Sequence, residues 1–160
     1  RGNRGGLLNA AVEVADEFVE RGTLAETSGR SDTANLVFLA KQGGLLAGRR
    51  VVVLIDAKTA SAAELLAGIL QRNDKAVLAG RNSFGKSAVQ SQFALENGES
   101  LSLTTAYYRF SDGSTVGPEG LAPDTVLPRW AMRRKPPLPG TVTGKTLLKD
   151  DYAVRRAWEF

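Results

Sequence analysis

Near the start of the chain, Leu7, Leu8, Ala11, Val12, Ala15, Phe18 and Val19 share one face when wound at helical spacing. The pattern predicts an amphipathic helix over residues 7–20, ended by Arg21-Gly22. A short strand over residues 36–40 precedes Gly43-Gly44. The clearest strand runs over residues 51–56, and its unbroken apolar run Val51-Val52-Val53-Leu54-Ile55 predicts cover on both faces. A second helix begins at Ser61, where Ser61 and Glu64 have capping-box spacing ahead of Leu65, Leu66, Ile69 and Leu70. Residues 75–80 make a further strand, and a strand–helix–strand run predicts parallel pairing through a crossover.

Beyond residue 86 the period changes to two. Val89, Phe93 and Leu95 alternate with polar or small residues, as do Leu101, Leu103, Thr105 and Tyr107. The Asn97-Gly98 pair between the two runs predicts a β-hairpin. Asp112-Gly113 and Gly117-Pro118 mark turns. Residues 1–135 therefore read as one unit. Residues 136–160 read as a Pro-rich linker, Pro136-Pro137-Leu138-Pro139-Gly140, and a last helix near 147–159.

Composition narrows the chemistry more than the fold. The chain has 160 residues, enough for one domain with a real core. Its longest apolar run has the length of a buried strand, well short of a membrane span of about 20 residues. The net charge is +4, with the bases gathered at Arg49-Arg50, Arg133-Arg134-Lys135 and Arg155-Arg156. No aromatic residues interleave with them, so they read as solvated faces and not as a nucleic-acid surface. There is no cysteine, which excludes disulfides and thiolate metal sites. There is also no histidine, so a Ser-His-Asp site or a histidine-ligated metal cannot be built from this chain. The opening Arg1-Gly2-Asn3-Arg4-Gly5-Gly6 is neither a start methionine nor a signal peptide, and it reads as the interior of a longer chain.

Lys86 supports two readings. Residues 80–87, Gly-Arg-Asn-Ser-Phe-Gly-Lys-Ser, fit the phosphate-loop pattern, and the strand ending in Asp56 resembles one whose acid helps hold magnesium. A phosphate loop needs a helix directly after its lysine, because the helix N-terminus holds the phosphates. Here an alternating, strand-like run follows. In the other reading Lys86 pairs with Ser61. A serine hydroxyl is a poor nucleophile until a base takes its proton, and a neutral, buried amine can do so. Phe84 and Val89 are apolar neighbours suited to burying it. Ser61 at a helix start would lie beside free N–H groups able to stabilise an oxyanion. Taken alone, Ser61 is a helix cap and Lys86 a turn lysine.

Taken together, the segments resemble the carboxy-terminal processing (tail-specific) proteases. Residues 59–68, Thr-Ala-Ser-Ala-Ala-Glu-Leu-Leu-Ala-Gly, are similar to that family's nucleophile segment, and residues 80–90 to its lysine segment. The spacing of 25 residues from Ser61 to Lys86 is also the family's. Arg1-Gly2-Asn3-Arg4-Gly5-Gly6-Leu7-Leu8 resembles its glycine turn, and Gly120-Leu121-Ala122-Pro123-Asp124 a segment near the domain's end.

The resemblance implies an α/β fold: a layered sheet with crossover helices, the carboxy-terminal part of a crotonase-like protease core, ending in a β-hairpin region and a short helix. Residues 1–135 would be that part of the catalytic domain, with the upstream part and the PDZ module absent. Ser61 would be the nucleophile, Lys86 the general base and Gln90 its positioning partner. The oxyanion would be met by the N–H groups of Ala62 and a turn glycine, Gly6 in preference to Gly5. No metal or organic cofactor is implied. Substrates would be proteins or peptides with apolar carboxy-terminal tails, cut outside the cytoplasm, in the periplasm, at the cell surface or in a plastid lumen. A homo-oligomer is compatible with these features. Departures from the family pattern are Ala63, Arg81, Ser87 and Arg72, the last standing where some members carry an aspartate. A ligand-binding module on the same fold is the other class, although a pure binder needs none of Ser61, Lys86 and Gln90.

Overall fold

The computed structural model describes residues 1–132 and 152–157. The predicted linker at 136–140, the basic group at 133–135 and the flanks of the predicted last helix lie outside the described residues. Among the described residues, two sheets and three α-helices are arranged in layers. In chain order these are α1 (Leu8–Asp16), β1 (Thr23–Gly29), β2 (Val37–Leu39), β3 (Val51–Ile55), α2 (Ala62–Arg72), β4 (Ala76–Gly80), β5 (Ala88–Ala94), β6 (Ser100–Phe110), β7 (Thr125–Val126) and α3 (Tyr152–Ala157).

The predicted crossover is present. β3 and β4 pair in parallel, from Val51 opposite Ala76 to Ile55 opposite Gly80, with α2 between them in sequence. β7 extends this sheet beside β4. Asp124, at the start of β7, holds it in place: Leu78 N–H and Gln71 Nε2 donate to its two carboxylate oxygens at 2.7 and 2.8 Å. The antiparallel sheet has the order β2-β1-β6-β5. α2 packs between the two sheets, and this explains why it buries an unusually wide face, including Leu65, Ile69 and Leu70. At Gly68 a Cβ would come within 2.4 Å of the Phe110 ring, so the helix approaches β6 too closely for any side chain. α1 packs on α2 through Ala11, Val12 and Ala15. On the other side of the parallel sheet, α3 buries Ala153 against Ala79 and Leu127.

Three expectations change. The first helix ends at Asp16, short of residue 20. Phe18 and Val19 are still buried, but in a turn whose N–H groups both reach Ala15 C=O. There the Glu17 C=O and carboxylate accept Leu46 N–H and Leu45 N–H, so tertiary contacts end the helix before Arg21-Gly22 does. The hairpin forms about Asn97-Gly98, but its apolar alternation faces outward. Leu101, Leu103 and Tyr107 are exposed, whereas Ala106, Tyr108 and Phe110 point into the core. Only the half of β6 that pairs with β1 lies under α2. Finally, β1 has no counterpart among the predicted elements, because Thr23-Leu24-Ala25-Glu26-Thr27-Ser28-Gly29 is mostly small or polar.

Candidate active site

The parallel pair explains how two segments distant in sequence meet. Ile55 and Gly80 are opposite one another at the carboxyl ends of β3 and β4, and one strand runs into the loop before Ser61, the other into the loop before Lys86. Functional sites in α/β sheets gather at such ends. The loop after β3 is shaped by Asp56, whose Oδ1 accepts the N–H groups of Lys58 and Thr59 at 3.0 and 3.1 Å. The same oxygen accepts Gly2 N–H at 3.0 Å, and Asn3 C=O accepts Ala60 N–H at 2.9 Å. The amino-terminal glycine turn is therefore fastened directly beside Ser61.

Ser61 itself is strained. Its φ of 56° and ψ of −125° lie in a region that non-glycine residues avoid. Such backbone geometry costs about 1–3 kcal/mol and collects at functional sites. A strained serine on a strand-to-helix turn is how α/β-hydrolases expose a nucleophilic hydroxyl. Ser61, Ala62, Lys86, Gln90, Gly5 and Gly6 all line one cavity of about 570 Å³, together with Gln92, Ser102 and Tyr108. Lys86 is half-buried, and its Nζ donates to Gln90 Oε1 at 3.3 Å. Ser61 and Lys86 share the cavity, with no direct hydrogen bond between their side chains. Catalytic contacts commonly tighten only when substrate is bound.

The two glycines of the turn differ. Gly5 N–H is taken by Asn3 Oδ1 at 2.9 Å, while Gly6 N–H has no partner among the described residues. The same holds for Ala62 N–H in the first turn of α2. Gly5 matters for another reason, since it sits at φ +86° with its Cα against the Ser61–Ala62 backbone.

Some expected neighbours are not there. Phe84 is 60% exposed and does not line the cavity, so it does not bury the lysine; Val89 does line it. Arg72 lies at the far end of α2, about 16 Å along the helix from Ser61. There it bonds Asp112 and Ser114 and stacks on Phe110. The aspartate that some family members carry at this position would be equally remote from the cavity.

The phosphate-loop reading fails on its donors. β5 follows Lys86 where a helix is required. The N–H groups of Arg81, Ser83 and Phe84 go to the carbonyls of Ile55, Leu121 and Thr59. Those of Gly85 and Lys86 go to the Glu64 carboxylate. These donors are spent, and a negative charge occupies the place where a phosphate would sit.

Two participants escape the sequence pattern. Glu64 is legible there only as half of a capping box, and that half is made: Ser61 N–H donates to its Oε2 at 2.8 Å. Its remaining bonds reach residues 19 to 22 positions away, which helix spacing cannot foresee. Tyr108 is missed because the alternation marks the exposed face of β6 as the buried one. Its hydroxyl lies 3.1 Å from Lys86 C=O and 3.4 Å from Ser61 C=O. Burial, reinforced by the nearby Glu64 carboxylate, pushes the phenol above its usual range, so it remains a donor.

That shift predicts an alkaline weakness. Above pH ~10 the unfolded chain releases the Tyr108 proton while the folded chain keeps it, so stability falls as pH rises. Tyr108→Phe is expected to flatten this part of the profile relative to wild type. Urea midpoints at pH ~8 and ~10.5, on either side of the ordinary tyrosine value, check it. An equal loss in both proteins would contradict it.

Comparison with known proteins gives the family. Residues 1–127 match the sequence model of Peptidase family S41. The chain belongs to this family. It is 39% identical over 125 residues to a carboxy-terminal-processing protease of Bartonella bacilliformis, covering 78% of this chain and 29% of that protein. It is 36% identical over 127 residues to a carboxyl-terminal-processing protease of Synechocystis, covering 79% and 29%. The solved photosystem II D1 C-terminal processing protease superposes with a TM-score of 0.70 at 33% identity, covering 79% of this chain and 33% of that one. An S41 protease structure from Bacteroides fragilis shares the fold, with a TM-score of 0.69 at 20% identity over 79% of this chain and 36% of that one. The chain thus spans under a third of these curated relatives' length. The four segments that carry the resemblance lie inside the matched stretch. Among the described residues, no cluster of metal-ligating side chains occurs and no helix is long and apolar enough to cross a membrane.

Proposed function

We propose that this chain carries the nucleophile and base of a serine endopeptidase that cuts proteins near apolar carboxy termini. The observation behind this reading is one cavity lined by a strained Ser61, by Lys86 bonded to Gln90, and by the N–H-bearing residues Ala62 and Gly6. Ser61 Oγ attacks the scissile carbonyl and passes its proton to Lys86 Nζ. The negative charge that forms on the carbonyl oxygen is met by Ala62 N–H and Gly6 N–H. As the C–N bond breaks, Lys86 returns the proton to the leaving amine, and the peptide is left as an ester on Ser61. Water then attacks the ester with Lys86 again as base, which regenerates Ser61. Gln90 holds the amine over the cavity. With no histidine in the chain, lysine is the base that lies at hand.

The preference for carboxy-terminal cleavage rests on the names of the relatives, and the extracytoplasmic setting on the resemblance. The test is degradation by the full-length protein of a reporter ending in an apolar tail, compared with the same reporter ending in a charged tail. Cleavage of the first alone is expected, with no loss in Ser61→Ala of binding to the tail. A magnesium-nucleotide complex at about 100 times a supposed dissociation constant would raise stability by about 2.7 kcal/mol if it bound the native state. No such shift is expected, and one abolished by Lys86→Ala would contradict the reading.

A further inference from the structure

Glu64 is wholly buried on α2, between the two sheets. A buried carboxylate is costly unless donors surround it. Four do. Ser83 Oγ and Gly85 N–H donate to Oε1 at 2.5 and 2.7 Å, and Ser61 N–H and Lys86 N–H donate to Oε2 at 2.8 and 2.9 Å. A single oxygen thus takes the backbone N–H of both the nucleophile and the lysine. The Tyr108 hydroxyl lies within reach of the backbone C=O of the same two residues. An ordinary capping box would need only the bond to Ser61 N–H. The bonds to residues 83–86 have no part in capping a helix. They join the loop after β4 to the first turn of α2.

We propose that Glu64 and Tyr108 form a bracket that sets the separation and angle between Ser61 and Lys86, and so act as positioning residues for the reaction. The proposal rests on Ser61 and Lys86 being nucleophile and base. Neither bracket side chain needs to touch substrate; each acts through the backbone of a residue that does. Both reacting side chains are then referenced to one rigid point, and the strained φ of Ser61 is held by a charge-assisted bond on its own N–H. Misplacing a catalytic group by about 1 Å can cost on the order of 100-fold in rate.

The test measures kcat, KM and Tm of the full-length protein for Glu64→Gln, Tyr108→Phe, Asp124→Asn and Ser61→Ala. The glutamine of Glu64→Gln keeps the shape but offers one acceptor oxygen in place of two. This variant should lower kcat about 10–100-fold with KM within about twofold. Tyr108→Phe should lower kcat about 10-fold in the same manner. Asp124→Asn disturbs only the tether between α2, β4 and β7, and should lose Tm while keeping kcat. If Glu64→Gln does not accumulate as folded protein, Tyr108→Phe decides the matter. Wild-type kcat in the folded bracket variants, with Ser61→Ala inactive, overturns the bracket alone. A kcat loss in Asp124→Asn matching theirs also overturns it, because general destabilisation would explain all three. Turnover by Ser61→Ala would remove the nucleophile reading and the bracket with it.

Discussion

Replacing Lys86 by alanine in the full-length protein is expected to lower kcat by on the order of 10⁵-fold, and Ser61→Ala to lower it as far. The double variant should be no worse than either single one, because nucleophile and base act as one unit and their losses do not add. Lys86→Arg should not rescue activity. Its guanidinium stays protonated at any usable pH and cannot take the Ser61 proton. Gln90→Ala should be milder, since it frees the amine to wander but leaves it in the cavity. Single-turnover kinetics on variants of unchanged Tm separate these effects. Near-wild-type kcat in Lys86→Arg would mean that the side chain serves only as a positive charge.

Gly5→Ala should be the most damaging change outside the reacting pair. Its φ of +86° already penalises any side chain, and a Cβ would meet Ala60 O at 2.5 Å and Ala62 N at 2.8 Å. Those are backbone atoms on either side of Ser61, so relieving the strain shifts the Ser61 backbone or the glycine turn beside it. A loss of about 2–4 kcal/mol in stability is expected, from the backbone conformation and the overpacking together. A fall in kcat of about 100-fold or more should accompany it. Gly6→Ala is the control for the fold, since nothing lies within 4 Å of its Cβ position. Its stability should stay within about 0.5 kcal/mol of wild type. Urea denaturation of the two variants side by side checks the contrast, and equal stability would contradict it.

The sequence is most legible where local pattern and tertiary role agree. The apolar run of β3, the helix start at Ser61 and the parallel return at β4 are one crossover unit, so the order of residues carries the geometry. The same unit is why Ser61 and Lys86 lie on one cavity although 25 residues separate them. Elsewhere the pattern misleads or is silent. β1 is held by pairing on both edges and needs no apolar alternation of its own. The hairpin has large side chains on its open face, and only α2 decides which face of β6 is inside. β7 has two residues and is positioned by the Asp124 carboxylate, not by periodicity. Gly5 and Gly6 are alike in local pattern, and only the resemblance favours Gly6. In the structure Asn3 Oδ1 takes the N–H of Gly5 and not that of Gly6. Glu64 has the look of a surface acid at a helix start, yet three of its four donors come from another loop.

What matters most is where a substrate's acyl group goes. The full-length protein should be mixed with a 4-nitrophenyl ester of a short apolar peptide, quenched in acid within the first turnover, and mapped by mass spectrometry. Attack by Ser61 Oγ expels nitrophenolate and leaves the acyl group on Ser61, with the proton on Lys86. The prediction is one acyl group on the peptide that contains Ser61, formed in a burst, and absent from Lys86→Ala over the same time. An acyl group on any other residue, or an unchanged burst in Lys86→Ala, would contradict it.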